Sequence, residues 1–175
     1  MGSESLISAV TDAGPLIHLY EVNAFHLLSI IKTIHIPHAV RMETVGKDRV
    51  PESSLFSLQH TSHSSIPEAT MRVFVNQHGL HSIHSGEREC LYLCQSLGIP
   101  LILTDDLSVR KIAKQMAVKP IGSLGIVIAA YRKGLLSLPQ TRHYIYELYT
   151  RSSLFITKTI VDLAFQELND TSRTK

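Results

Sequence analysis

Apolar positions along the chain come in short runs of two kinds, one β-branched and continuous, the other spaced at helical intervals. Leu6 to Thr11 is a run of the first kind that stops at Asp12-Ala-Gly-Pro, which predicts a strand feeding a helix with Pro15 in its first turn. Leu16 to Ile31 is mostly apolar at helical spacing with a break near Val22-Asn23. Ile34 to Pro37 predicts a second short strand, followed by a helix carrying Val40 and Glu43. From Gly46 to Pro67 serine, histidine and proline leave no period, so this segment is expected to be a loop or insertion. Pro67 to Gln77 predicts a helix closed by Gly79, and Leu80 to His84 a brief extended piece. Ser85 is the expected N-cap of a helix running to Gly98. Leu101 to Thr104 has the composition of a buried strand and runs into Asp105-Asp106, after which Val109, Ile112, Ala113 and Met116 share one helical face. Val118 to Ile121 is extended in character, Ser123 is placed to cap an apolar helix stopped by Gly134, and two more helices are expected over 140–150 and 154–168.

Strands alternating with helices predict a single α/β domain whose central, mostly parallel sheet is flanked by helices, with extra C-terminal helices. The expected organisation is a compact unit over residues 1–136 and a helical extension over 137–175 packed on it. A chain of 175 residues with 44% hydrophobic and 18% charged residues has the makings of a core and is not of disordered composition. Its longest apolar stretches, such as Leu124 to Tyr131, fall far short of the roughly 18 to 20 residues that cross a bilayer. The polar start at Met1 to Ser5 does not have the form of a secretory signal, so no membrane partner and a cytoplasmic location are expected. Cys90 and Cys94 are four apart on a helix face and are expected to be small core hydrophobes.

The net charge of +2 says little, but its distribution says more. Arg110, Lys111, Lys114, Lys119, Arg132, Lys133, Arg142, Arg151 and Lys158 face the single acid Glu147 between Leu107 and Lys158. A basic half attracts polyanions in a salt-sensitive way, although such charges also occur as merely solvated helix faces.

Ligand sites of open α/β sheets lie beyond the carboxyl ends of the strands. Asp12 and the pair Asp105-Asp106 each follow an apolar strand and are expected at that edge. On the helix after Ser85, Glu87 precedes Leu91 by four and Cys94 by seven, one turn ahead of the buried stripe, whereas Glu89 faces elsewhere. Carboxylates gathered without cationic partners repel one another unless protons or a hard cation neutralise them. Oxygen-only ligation selects Mg²⁺ or Mn²⁺, and phosphodiester hydrolysis is the natural reaction of such a centre. Taken singly, Asp12 and Asp106 are equally good helix N-caps, Glu87 complements a helix dipole, and Glu43 has the character of an exposed surface acid.

Val10-Thr-Asp-Ala-Gly-Pro-Leu-Ile17, Ile36-Pro-His-Ala-Val-Arg-Met-Glu43, Ser85-Gly-Glu-Arg-Glu-Cys-Leu91, Leu103-Thr-Asp-Asp106 with Arg110 and Ala113, and Ile121-Gly-Ser-Leu-Gly125 together resemble PIN domains, in the prokaryotic branch related to VapC-type toxins. The resemblance runs in order over about residues 7–136 and rests on order and spacing. It implies a Mg²⁺- or Mn²⁺-dependent ribonuclease acting on RNA or single-stranded DNA, commonly a homodimer, with an antitoxin partner in the toxin members. It carries the catalytic acids onto Asp12, Glu43, Glu87 and Asp106, the metal ligands onto Asp12, Glu87 and Asp106 or its neighbour Asp105, and backbone contacts onto Arg110 and Lys111. Thr104 and Ser123 are further candidates for orienting a carboxylate. The rival reading is a PIN-like module that binds nucleic acid or protein without cutting. A zinc site at His78, His81 and His84 is disfavoured by their spacing, and an aspartyl-phosphate mechanism at Asp12 by Gly14 where a second acid is needed.

Overall fold

The computed structural model describes residues 6–173, with backbone alone for Leu6, Ile7 and residues 170–173; the polar start at 1–5 lies outside the described residues. In chain order the elements are β1 (Leu6–Thr11), α1 (Ala13–Glu21), a 3-10 helix (Phe25–Ile30), β2 (Ile31–Ile36), α2 (His38–Thr44), α3 (Glu52–Leu55), β3 (His60–Ser62) and α4 (Glu68–His78). Then follow α5 (Ser85–Leu97), β4 (Leu101–Leu103), α6 (Leu107–Gln115), β5 (Lys119–Ile121), α7 (Ser123–Arg132), α8 (Leu138–Thr150) and α9 (Lys158–Arg173).

The five strands form one sheet in the order β3-β2-β1-β4-β5, and every neighbouring pair is parallel. This is the single α/β domain expected, with a parallel sheet flanked by helices and further helices at the C-terminal end. From β1 the chain adds β2 and β3 on one side and β4 and β5 on the other, so strand order reverses between β1 and β4. Such a switch point leaves a crevice at the carboxyl ends of its two strands. Val10 pairs with Ile102 and Thr11 with Leu103, and the Asp12 N–H extends the ladder to the Leu103 carbonyl at 2.8 Å. Asp12 and Thr104 therefore leave the sheet at one level.

Both sheet faces are covered, because Ala9, Val10, Ile34, Ile36, Ile102 and Leu103 are all fully buried. α5 packs on α2, α4, β1 and β4, while α1 packs on α2 and α7. α8 lies between α7 and α9, and its Ile145 and Leu148 are buried together with Val161, Ala164 and Leu168 of α9. Among the described residues no helix is long and apolar enough to cross a membrane.

Several boundaries differ from the sequence expectation. The break near Val22-Asn23 is real, with Asn23 at φ 57, but a 3-10 helix follows it and the second strand starts as early as Ile31. The segment expected to be a loop holds α3 and the edge strand β3, whose residues are polar and largely exposed and so carry no alternation. Residues 80–84 form turns rather than an extended piece. The N-cap of α5 is His84, one residue before Ser85, and α9 begins at Lys158, after an irregular stretch.

Candidate metal centre

Asp12 is the N-cap of α1: its Oδ1 accepts the Ala13 N–H at 2.8 Å, and the side chain is left with only 8% exposure. Asp106 caps α6 in the same way, its Oδ1 accepting the Val109 N–H at 2.9 Å. The two aspartates share a fully buried neighbour. Thr104 Oγ1 donates to Asp12 Oδ2 at 3.2 Å and accepts the Asp106 N–H at 3.3 Å. Capping and convergence are thus compatible, since both helices begin at the crevice between β1 and β4. Glu87, in the first turn of α5, sends Oε2 back to the His84 N–H at 3.0 Å. Glu43 lies in the last turn of α2, which packs on α5, and Glu89 accepts the Ala39 N–H at 2.9 Å to bind those helices together.

The charges of four of these acids bear on one another. Burial pushes the Asp12 carboxyl up to about 6; Glu87 and Glu43 add to the rise, and the bonds from Ala13 and Thr104 oppose it. Burial also raises Glu87, opposed by the His84 N–H and imidazole and reinforced by Asp106 and Glu43. Among the described residues no lysine or arginine forms an ion pair with Asp12, Glu43, Glu87 or Asp106. Asp12 is buried and Glu87 half-buried, while Glu43 and Asp106 are exposed, and an all-oxygen set of this kind lacking cationic partners fits a hard divalent ion that keeps some of its waters. The side chains do not form a closed cage: among the described residues no three His, Cys, Asp or Glu groups stand together as a ready ligand set. The hydrogen bonds account for this, because Glu87 is folded back on its own helix start and Asp106 on α6. Carboxylate oxygens that accept one N–H keep further lone pairs, and Mg²⁺ habitually retains waters in place of protein ligands.

Asp105 is placed apart from this group. Its Oδ1 accepts the Ser123 N–H at 2.7 Å, and its Oδ2 accepts the Ser123 hydroxyl at 2.6 Å and faces His18 Nδ1 at 2.8 Å. Ser123 is consequently not the N-cap of α7; Gly122 holds that position, and the Ser123 hydroxyl is fully buried against Asp105. Arg110 Nη1 donates to the Thr104 carbonyl at 3.2 Å, which ties this cation to the strand end, whereas Lys111 is exposed on α6. His18 was not foreseen as a partner, for it is 87 residues from Asp105 and belongs to no local pattern.

The cysteines are core residues: Cys90 Sγ donates to the Thr11 carbonyl at 3.4 Å, and burial pushes the Cys90 thiol up strongly and Cys94 to about 12. Thiols so disfavoured as thiolates are poor metal ligands. His78, His81 and His84 lie on the end of α4, in a turn and at the start of α5, and form no ligand group.

Among known protein families, the model of the family DUF3368, described as a PIN domain, matches residues 8–170. No curated protein and no solved structure matches the chain.

Proposed function

Because this chain belongs to the DUF3368 family of PIN domains, a nuclease fold, we propose that it is a Mg²⁺- or Mn²⁺-dependent ribonuclease. What supports the proposal is that Asp12 and Asp106, at the ends of β1 and β4, share the Thr104 hydroxyl, with Asp12 buried and raised and with Glu87 and Glu43 near enough to add to that rise. In this reading Asp12 and Asp106 hold the ion, Glu87 completes its surroundings, and Glu43 orients a water. When bound, a hard divalent cation supplies Lewis-acid stabilisation to charge developing on a phosphodiester. Thr104 keeps the Asp12 carboxylate turned toward the crevice, and a carboxylate freed from its cap is available to take the proton of an attacking water. Arg110 and Lys111 are proposed to hold the phosphate backbone. Lys119, Arg132 and Lys133 line a groove of about 750 Å³ together with Asp105 and Arg110, with Arg132 paired to Glu167 there, and Lys119 and Lys133 are the cations proposed to follow a polyanion along it.

The resemblance to VapC-type toxins extends the proposal to a homodimer paired with an antitoxin. The proposed setting is the cytoplasm, where reducing conditions keep Cys90 and Cys94 as thiols. A non-cutting PIN module is the second reading, favoured by the engagement of Glu87 and Asp106 as helix caps.

Cleavage of labelled single-stranded RNA by metal-stripped protein, with Mg²⁺ or Mn²⁺ restored, separates the two. The expected result is metal-dependent cutting by the wild type that is lost in Asp12→Asn and Asp106→Asn, both of which keep a capping side chain. Tight, salt-sensitive binding of RNA and DNA without cutting by the wild type would establish the binding module instead.

A further inference from the structure

Three consecutive residues at the end of β4 point in different directions. Thr104 reaches Asp12 and Asp106 caps α6, while Asp105 turns to Ser123 and His18. In extended chain, side chains alternate sides, and Asp106 is extended at φ −71, ψ 126. Thr104 binds Asp12 and Asp106, whereas Asp105 binds neither and is held by Ser123 and His18. Both Asp105 oxygens are occupied there, by the N–H and hydroxyl of Ser123 on α7 and by His18 Nδ1 on α1. The carboxylate is wedged between two turns: a Cβ on Gly122 would lie 2.5 Å from its Oδ1, and one on Gly14 would lie 3.4 Å from its Oδ2.

We propose that Asp105 is a positioning residue: clamped by Ser123 and His18, it fixes the strand end that carries Thr104 and Asp106, and through them the carboxylates of the metal site. The proposal rests on the metal-site reading above. Its physical basis is that Thr104 Oγ1 serves both aspartates at once, so a rotation of the backbone at Asp105 disturbs Asp12 and Asp106 together. Loss of such an outer partner typically costs about 10- to 100-fold in metal affinity or activity, without removing the site.

The test is direct titration of Mn²⁺ by electron paramagnetic resonance on the full chain. Asp106→Asn is expected to abolish binding. Asp105→Asn and Ser123→Ala are each expected to weaken it by about 10- to 100-fold. The double variant should bind no more weakly than Asp105→Asn alone, because both changes break one clamp. His18→Asn, which keeps a donor near the Nδ1 position, should stay close to the wild type, whereas His18→Ala should not. Since Ser123 and His18 are varied with Asp105 in place, the outcome does not depend on Asp105→Asn folding well. Abolished binding in Asp105→Asn alongside wild-type affinity in Ser123→Ala would overturn the proposal and make Asp105 a ligand. Wild-type affinity in all clamp variants would overturn it by making the cluster purely structural. A wild-type protein that takes up no Mn²⁺ would overturn the metal-site reading itself and this inference with it.

Discussion

Asp12 performs two tasks whose energetics conflict. As an N-cap it satisfies a backbone donor, but as a nearly buried carboxylate among other acids it is destabilised when ionised. A folded-state pKa raised from 3.8 to about 6 means that the native protein binds the proton more tightly than the unfolded chain does. Between these values stability falls as pH rises, and the deficit is fully present above pH 6. His35 and His63, stacked with nitrogens 3.0 Å apart and both lowered chiefly by burial, act in the opposite sense, because the unfolded chain protonates first as pH falls. Asp12→Asn isolates the aspartate, since the histidines cancel in the difference and asparagine keeps the cap. Urea unfolding without metal should find the variant more stable than the wild type at pH 7, by at most about 3 kcal/mol, and nearly equal at pH 4. A difference independent of pH would mean that Asp12 is not desolvated as described. Asp12, Glu87 and Asp106 could be singled out in the sequence because each stands where a strand ends or a helix begins, whereas Glu43, in the last turn of α2, was marked only by the family resemblance. Asp105 and Asp106 could not be told apart, since which of two adjacent aspartates faces the crevice depends on His18 and Ser123, both remote in sequence.

At the scale of elements, strong local patterns were readable and weak ones were not. α6 and α7 were visible from apolar spacing and from the stops around them, and α5 from Gly98, whose φ of 64 is the left-handed cap that glycine adopts freely. β3 was not visible, since an edge strand with the sequence His-Thr-Ser is held by pairing to β2 rather than by a buried face. The helices beyond residue 136 raise a separate question, whether they are an extension that the rest of the fold can lose. α9 buries Val161, Ala164 and Leu168 against the molecule. Removing the valine and leucine alone forfeits roughly 3–6 kcal/mol of hydrophobic stabilisation. A chain ending at Thr157 should therefore unfold cooperatively at a much lower urea midpoint, a large share of the roughly 5–15 kcal/mol typical of a domain being lost. An unchanged midpoint would make α9 a dispensable appendage.

For the whole molecule, the proposed role of the basic half in holding a nucleic acid can be measured. If Lys119 and Lys133 follow a nucleic-acid backbone, each neutralises a phosphate and releases counterions. Binding of single-stranded RNA by the non-cutting Asp12→Asn protein, followed by fluorescence anisotropy, should then weaken linearly on a log-log plot against salt. Lys119→Ala and Lys133→Ala should each flatten that slope by about 0.7. A slope untouched by either change would assign these lysines to ordinary solvated surface.

The sequence by itself determined the fold class, the parallel alternation of strands and helices, and the edge at which the acids emerge, because these depend on periodicity and on residues at element ends. Tertiary structure alone decided which side chains meet at that edge. The crevice arises where strand order reverses beside β1, and that reversal brings Thr104 to Asp12 across 92 residues and Ser123 to Asp105 across 18. No local pattern records those separations, since hydrogen bonds between loops are selected by how the sheet is wound.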